Sequence, residues 1–540
     1  MRTTALVLLY AALAAFGTYS TFRPTFDSGF ASIQTERGDG MLNHLILENS
    51  WLALTDPGYR GTFATAPFCH PVRGTIYFSE NLFGAAPLYW GLRVVLPHDL
   101  AYIWWQILLS ACNFVAFAAA ARWLRLPHVL AACGAFLWAF AAVHADQIKH
   151  QQMIGRLWMP FALYYAVALA TAPSRKAWNR LLGSVFLQCL TCFYTGWFLV
   201  MALAVFVPAL VAMRPGAWGE LRRFGRADRG AAVRIAALWA AAMAALFVPY
   251  LVFPPSSGHE YSGCFGSLPT TAAWLTGPAG SVWEETLKPY SLYEYRVPLP
   301  ELTLFSGFGV YAVILAAAVG LPLLPRDRHP TLRLVVAAGL LTAAVWWVLT
   351  ISTAPDGHSL WRWVRFLPGG RAVRVVSRVY VVVYLFGTFA GLTWLHLVTE
   401  RVRPGWVRTA LLGAVAAALV GEQTGIQQVS FERADFYPQV DRSAADLRGA
   451  DVGYVLPRFT DAHKCQSVGV YGEVFAMWVG VRANVPVTNA YSGVLPPGLL
   501  VTALQTDDQI RDWLRRGGYR GTVRVVDPDA PGRYHEFQVE

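Results

Sequence analysis

Three groups of residues have the types and spacing that chemistry at a membrane surface would need. The first is Glu36-Arg37-Gly38-Asp39-Gly40. Asp39 stands just before Met41 to Leu54, where Leu42, Leu45, Ile46, Asn49 and Leu52 recur near helical spacing and predict an amphipathic helix. One reading makes Asp39 the N-cap of that helix, a role Asp fills well. The other makes Asp39, with Glu36 as its understudy, a general base, which needs only a carboxylate within hydrogen-bond reach of a hydroxyl. Arg37 between them would hold either acid ionised.

The second group lies in SLWRWVRFLPGGRAVRVVSR, which carries Arg362, Arg365, Arg371, Arg374 and Arg378. Arg371, Arg374 and Arg378 follow i, i+3, i+7 and share one face if this part is helical. Guanidinium forks bind phosphate bidentately, so this face suits the phosphate or pyrophosphate of a lipid-linked substrate. Pairing with lipid headgroups or with outer-loop carboxylates is the plainer reading, and a pore for anions would want a similar ring.

The third group is His144, Asp146, Gln147, Lys149, His150, Gln151 and Gln152, followed by Arg156, Trp158 and Pro160. Polar groups this dense between apolar runs either face a cavity or form a satisfied turn between helices. His144 and Asp146 are too few to make a metal site. Weaker signals are Tyr194-Thr195-Gly196-Trp197, the pair Glu284-Glu285, and Glu301 ahead of an apolar run. No Walker loop, Rossmann glycine run or nucleophile elbow is present.

The elements that must position these residues are apolar. Of 540 residues 55% are hydrophobic and only 14% charged, against about 25% in a soluble domain. Mean hydropathy is +0.39. Apolar runs at 3–23, 99–121, 128–147, 157–172, 180–193, 195–213, 232–253, 307–324, 332–352, 379–398 and 406–421 predict about eleven membrane crossings. The pair 180–193 and 195–213 could instead be one kinked helix. The first run, with a single Arg at its start and no clear cleavage site, reads as a retained span rather than a signal peptide. The stretch 81–97 reads as a helix at the interface.

The net charge of +11 would suit nucleic acid in a soluble protein, but here it follows the positive-inside trend, and nucleic acid is not expected. With the N-terminus cytoplasmic, inner connections hold Arg122 and Arg125; Arg175, Lys176 and Arg180; Arg214 through Arg234; Arg326, Arg328 and Arg333; and Arg401, Arg403 and Arg408. The outer side then receives long loops at 24–98, 254–306 and 353–378, and the Arg371 to Arg378 group is the exception to the trend. Residues 1–421 form the membrane part, and 422–540, with short β-like runs and a helix near 507–516, predict a small soluble α/β domain on the outer side. Cys112, Cys133, Cys189 and Cys192 fall in apolar runs. Cys69, Cys264 and Cys465 fall in polar ones, where a disulfide stays open.

The order of these segments resembles a known family. An acid follows the first span, then HPVRGTIYFSENLFGAAPLYW, a His/Gln-rich turn into RLWMPFALYY, ELTLFSG, LPGGRAVRVVSRVY, and NAYSGVLPP in the tail. The whole looks like a bacterial member of the GT-C superfamily of membrane glycosyltransferases. The resemblance covers most of the chain through short, loose motifs. It implies an inner-membrane enzyme that moves a sugar from a polyprenyl-phosphate donor to an extracytoplasmic acceptor by an inverting displacement. It matches Asp39, with Glu36 behind it, to the acid of the first outer loop, and Arg371, Arg374 and Arg378 to the lipid phosphate. His150, Gln151, Arg156 and Glu301 would position substrate. The family often carries adjacent acids, whereas here they are three apart. Some members use a divalent metal, and no metal site is evident in these residues. A transporter or flippase of a lipid-linked or anionic solute, or a non-catalytic assembly protein of the same fold, is the alternative.

Overall fold

The computed structural model describes residues 3–145, 149–253, 260–291, 300–325, 328–353, 357–456, 467–496, 499 and 506–540. Among these, seven helices are long and apolar enough to cross a membrane: Thr3–Thr21, His98–Trp123, Gln151–Thr171, Phe193–Met213, Arg229–Val252, Pro330–Thr350 and Val376–Thr399. Helices also fill the other four predicted runs, but they are shorter. His128–Phe140 and Phe308–Gly320 have 13 residues, and Arg175–Thr191 and Gly405–Gly421 have 17. A full crossing takes about 20 residues, so length and composition mark seven of the eleven as spans.

The uncertain pair near residue 192 is two helices. Cys192 between them is extended, with φ −157° and ψ 123°. The buried Glu80 carboxylate accepts hydrogen bonds from the N–H groups of Phe193 (2.6 Å) and Tyr194 (3.2 Å), which fixes the start of the second helix. Elsewhere the helix Pro330–Thr350 packs along Tyr380–Thr399. Gly339 allows this approach, since a Cβ there would stand 3.0 Å from the carbonyl oxygen of Phe386.

The loop after the first helix contributes the helix Asp39–Thr55. It is not amphipathic as predicted. Every residue from Gly40 to Ser50 is buried, because the C-terminal segment closes over the side that solvent would otherwise reach. A short strand Ser32–Ile33 pairs antiparallel with Phe431–Glu432. Trp478, in the helix Ser467–Ala483, donates its indole N–H to the Met41 carbonyl at 3.0 Å. A three-stranded sheet lies behind: Val452–Val455 runs parallel to Gly521–Val526, which is antiparallel to Tyr534–Val539. Ile33, Met41, Leu45, Trp105, Val440, Trp478 and Val523 belong to one hydrophobic core, so the C-terminal segment and the loop after the first helix share an interior.

The predicted interface helix is Ala86–Arg93, and it is anchored inward. Tyr89 is fully buried and donates to Glu48 at 2.6 Å, while Arg93 grips the same carboxylate at 2.9 and 3.1 Å. Val94 and Val95, just beyond it, are large apolar side chains that project outward. Cys69 and Cys264 are buried free thiols, and Cys465 lies outside the described residues.

Candidate active site

Asp39 is the first residue of its helix, and the N-cap is Gly38, which offers no side chain. The N-cap reading of Asp39 is therefore corrected. Glu36 serves the helix end instead, its Oε1 accepting the Asp39 backbone N–H at 3.1 Å. That leaves the Asp39 carboxylate for other partners. Oδ2 meets His150 Nδ1 at 3.1 Å, and Oδ1 accepts the Tyr491 hydroxyl at 2.6 Å. Arg37 pairs with neither acid. It reaches Asp435 at 3.6 Å and covers the Phe431 ring at 5.2 Å.

The turn carrying His150 is pinned to the start of the Asp39 helix. Gln151 donates to the Thr35 hydroxyl, and Asn43 donates both to Gln152 Oε1 and to the Asp39 carbonyl, each at 2.8 Å. On the far side of the imidazole, Nε2 lies 3.3 Å from Glu301 Oε1. One buried ring thus stands between two carboxylates. Burial pushes the His150 pKa down, but Asp39 and Glu301 outweigh it and raise the pKa to about 9. The ring is therefore an imidazolium at neutral pH, hydrogen-bonded to Asp39 through Nδ1 and within ion-pair distance of Glu301 through Nε2. Burial would raise Glu301, yet His150, helped by the charge of Arg378, brings it down to about 2. Burial would likewise raise Asp39, and His150, Tyr491 and Arg378 hold it far below the ordinary carboxylate range. Glu36 moves the other way, raised by burial and by the neighbouring Asp39 charge.

The arginines do not form the single helical face that their spacing suggested. Two short 3-10 turns, Gly370–Ala372 and Val376–Val379, are separated by extended backbone at Val373 and Val375. The three side chains therefore diverge. Arg378 is only 5% exposed and lies 4.4 Å from the Tyr194 ring centroid. Its buried Nε has no hydrogen-bond partner among the described residues. Arg374 is exposed, its backbone N–H donates to the Tyr194 hydroxyl at 3.3 Å, and its charge acts on Tyr491. Arg371 is exposed and covers Phe366 at 5.2 Å.

Arg156 also departs from its expected place beside substrate. It is buried, donates to the carbonyls of Met153 (2.8 Å) and Trp138 (3.0 Å), and lies 5.2 Å from the Trp138 ring. These contacts tie two helix ends together. His144 is buried against the Tyr380 hydroxyl at 3.3 Å. Asp146 and Gln147 lie outside the described residues. Glu284 and Glu285 make local bonds, to the Gly280 N–H at 2.6 Å and to Lys288 at 2.7 Å. Among the described residues no group of three His, Cys, Asp or Glu side chains converges as a metal cage would.

Sequence reasoning missed Tyr491 and Glu80 as neighbours of these groups. Tyr491 is mounted rigidly. The buried Asn489 donates to the Val455 carbonyl (2.9 Å) and to Glu473 (3.1 Å), and Glu473 also accepts the Ala490 N–H at 3.1 Å. The segment NAYSG gave a hint of a special loop, but none of its partner.

No protein-family model and no curated protein sequence matches the chain. Among solved structures, the chain is similar to the Archaeoglobus fulgidus oligosaccharyltransferase in its apo form. The identity is 11% and the TM-score 0.48, over 97% of this chain and 70% of that one. It is also similar to ArnT from Cupriavidus metallidurans, at 12% identity and a TM-score of 0.38 for the apo state. For ArnT bound to undecaprenyl phosphate the values are 14% and 0.36, and both ArnT comparisons cover 97% of this chain and 93% of the other.

Proposed function

We propose that this chain is a membrane glycosyltransferase that moves a sugar from a polyprenyl-phosphate donor to an extracytoplasmic acceptor. The reading includes a bacterial inner-membrane location, a cytoplasmic N-terminus, and a C-terminal segment on the outer side. One observation carries it. An ionised Asp39, clamped by His150 and Tyr491, shares a buried site with Glu301 and Arg378 where the outer loop meets apolar helices.

At rest two carboxylates face one imidazolium and one guanidinium, so the local charges balance. A donor phosphate adds negative charge, and the exposed Arg374 and the buried Arg378 supply donors for it, with Arg371 at the rim. Arginine forks suit the phosphate oxygens. In the reaction the acceptor oxygen forms a bond to the sugar's anomeric carbon. The bond from that carbon to the phosphate oxygen breaks, and its electron pair leaves with the lipid phosphate. The growing phosphate charge is where fixed cations contribute most. Asp39 is a weak base in its resting clamp, so it takes the acceptor proton only as the new bond makes that oxygen acidic. His150 and Glu301 hold the carboxylate's orientation. Glu36 caps the helix and stands second to Asp39.

The experiment is Asp39→Asn in the purified chain, assayed with radiolabelled polyprenyl-phosphate sugar. Transfer should be lost while donor binding survives. Undiminished transfer would remove Asp39 from the mechanism, and substrate translocation without transfer would favour a flippase.

A further inference from the structure

A second basic site lies at the other end of the bundle. Phe308–Gly320, Pro330–Thr350 and Tyr380–Thr399 all have one end near Glu301, Ile351 or Arg378. Their opposite ends surround a small pocket at Leu324, Arg333 and Arg401. The 20-residue helix Tyr380–Thr399 spans about 30 Å at 1.5 Å per residue, so the pocket lies roughly one hydrocarbon thickness from the Asp39 site.

The pocket is built for an anion that is joined to something apolar. Arg328, Arg333 and Arg401 line it, and among the described residues the one acid in the lining, Glu400, lies 2.9 Å from His329 Nε2. Arg333 donates to the Leu324 carbonyl and so fixes one wall. The guanidinium groups of Arg328 and Arg401 have no hydrogen-bond or ion-pair partner among the described residues. The remaining walls are Leu324, Pro325 and Leu397. The apolar surface continues as Leu315 and Val319 on the adjoining helix Phe308–Gly320 and as Leu323 in the 3-10 turn Leu321–Leu323 that leads to the pocket; they are 64%, 77% and 82% exposed. Leu315 and Val319, four apart, share one helix face.

We propose that this pocket holds the headgroup of an anionic glycerophospholipid from the leaflet opposite the Asp39 site. The phosphate sits among the three arginines and one acyl chain lies along Leu315, Val319 and Leu323. Basic pockets between helix ends at a membrane face suit this chemistry. A uniformly solvated basic surface would instead show no preference among its arginines. Arg222 and Arg226, on the basic helix Ala217–Ala227, provide that comparison. The proposal stands apart from the sugar-transfer reading.

The test uses the delipidated full-length chain in non-ionic detergent, titrated with phosphatidylglycerol or phosphatidylcholine and read by native mass spectrometry. The chain should take up one phosphatidylglycerol in preference to phosphatidylcholine. Arg328→Gln with Arg401→Gln should weaken that uptake about thirtyfold, from roughly one unit of favourable energy per arginine. Arg401→Gln alone, at an exposed and unpaired position, should give a smaller loss. Arg222→Gln with Arg226→Gln should leave uptake unchanged. Equal uptake of the two lipids, equal loss in both double variants, or displacement of the lipid by millimolar inorganic phosphate alone would each overturn the proposal.

Discussion

Tyr491 and Asp39 are 452 positions apart in the chain, yet the phenol donates to the carboxylate at 2.6 Å. The bond joins the C-terminal segment to the first turn of the helix Asp39–Thr55. It holds one lone pair of Asp39 while His150 holds another. Tyr491→Phe keeps the ring and removes the donor. A hydrogen bond to a charged group contributes about 1.5–3 kcal/mol, so this change should lower melting temperature measurably. It should also reduce transfer while leaving labelled-donor binding near that of the unmodified chain. Transfer at the full rate would mean that the bond is structural only.

The imidazolium between Asp39 and Glu301 sets a pH dependence. The His150 value is about 9 in the folded chain against an ordinary 6.5. A raised value means that the clamp's contribution to stability is complete below 6.5 and is lost as pH rises through about 9. Thermal unfolding across that window should show stability declining toward the alkaline end, and transfer should fall with it. His150→Gln should flatten the decline. An unmodified chain whose melting temperature is level across the window would contradict the charged clamp.

Gly40 follows Asp39 and leaves no room for a side chain. A Cβ there would overlap the Thr35 hydroxyl and stand 3.0 Å from Gln151 Nε2. Gly40→Ala should therefore push the His150 turn off the helix, at about 1–3 kcal/mol of overpacking. Melting temperature and transfer should fall together. Gly91→Ala, where nothing lies within 4 Å, is the control and should leave both unchanged.

Arg374 and Arg371 should separate in a donor-binding assay. Arg374 is exposed beside Tyr491 and Tyr194, whereas Arg371 lies over Phe366. Arg374→Ala should weaken binding of a labelled polyprenyl-phosphate sugar about tenfold, the loss of one charge-assisted hydrogen bond. Arg371→Ala should weaken it less. Both are surface changes, so melting temperature should move by less than about 0.5 kcal/mol in equivalent stability. Equal binding in all three chains would remove the phosphate role from this segment.

Apolar run length alone located the helices, because each run must bury backbone polar groups within itself wherever lipid surrounds it. The two runs 180–193 and 195–213 are two helices, with the break two residues earlier than Tyr194, at Cys192; the residue that fixes it, Glu80, lies far away in sequence and could not be read. The same limit applies at the site. Asp39, His150 and Glu301 could each be picked out by residue type, and the structure brings them together. Tyr491 could not be paired with Asp39, because that contact depends on the outer loop and the C-terminal segment sharing an interior. Local spacing misled where the backbone was irregular. Arg371, Arg374 and Arg378 keep helical intervals in sequence but sit on two short turns with extended residues between them. Arg37 lies between two acids and chooses a third, Asp435.

The shared interior also bears on how the chain is made. Met41 and its partner Trp478 are 437 positions apart. At 5–20 residues per second, roughly 20 to 90 s separate their emergence from the ribosome. Through that interval the helix Asp39–Thr55, which ends up buried from Gly40 to Ser50, has only part of its packing partners. Its leucines stay available to wrong contacts until the last strands arrive. Chains halted before Trp478 lack that partner for the helix and should be substrates for quality-control proteolysis.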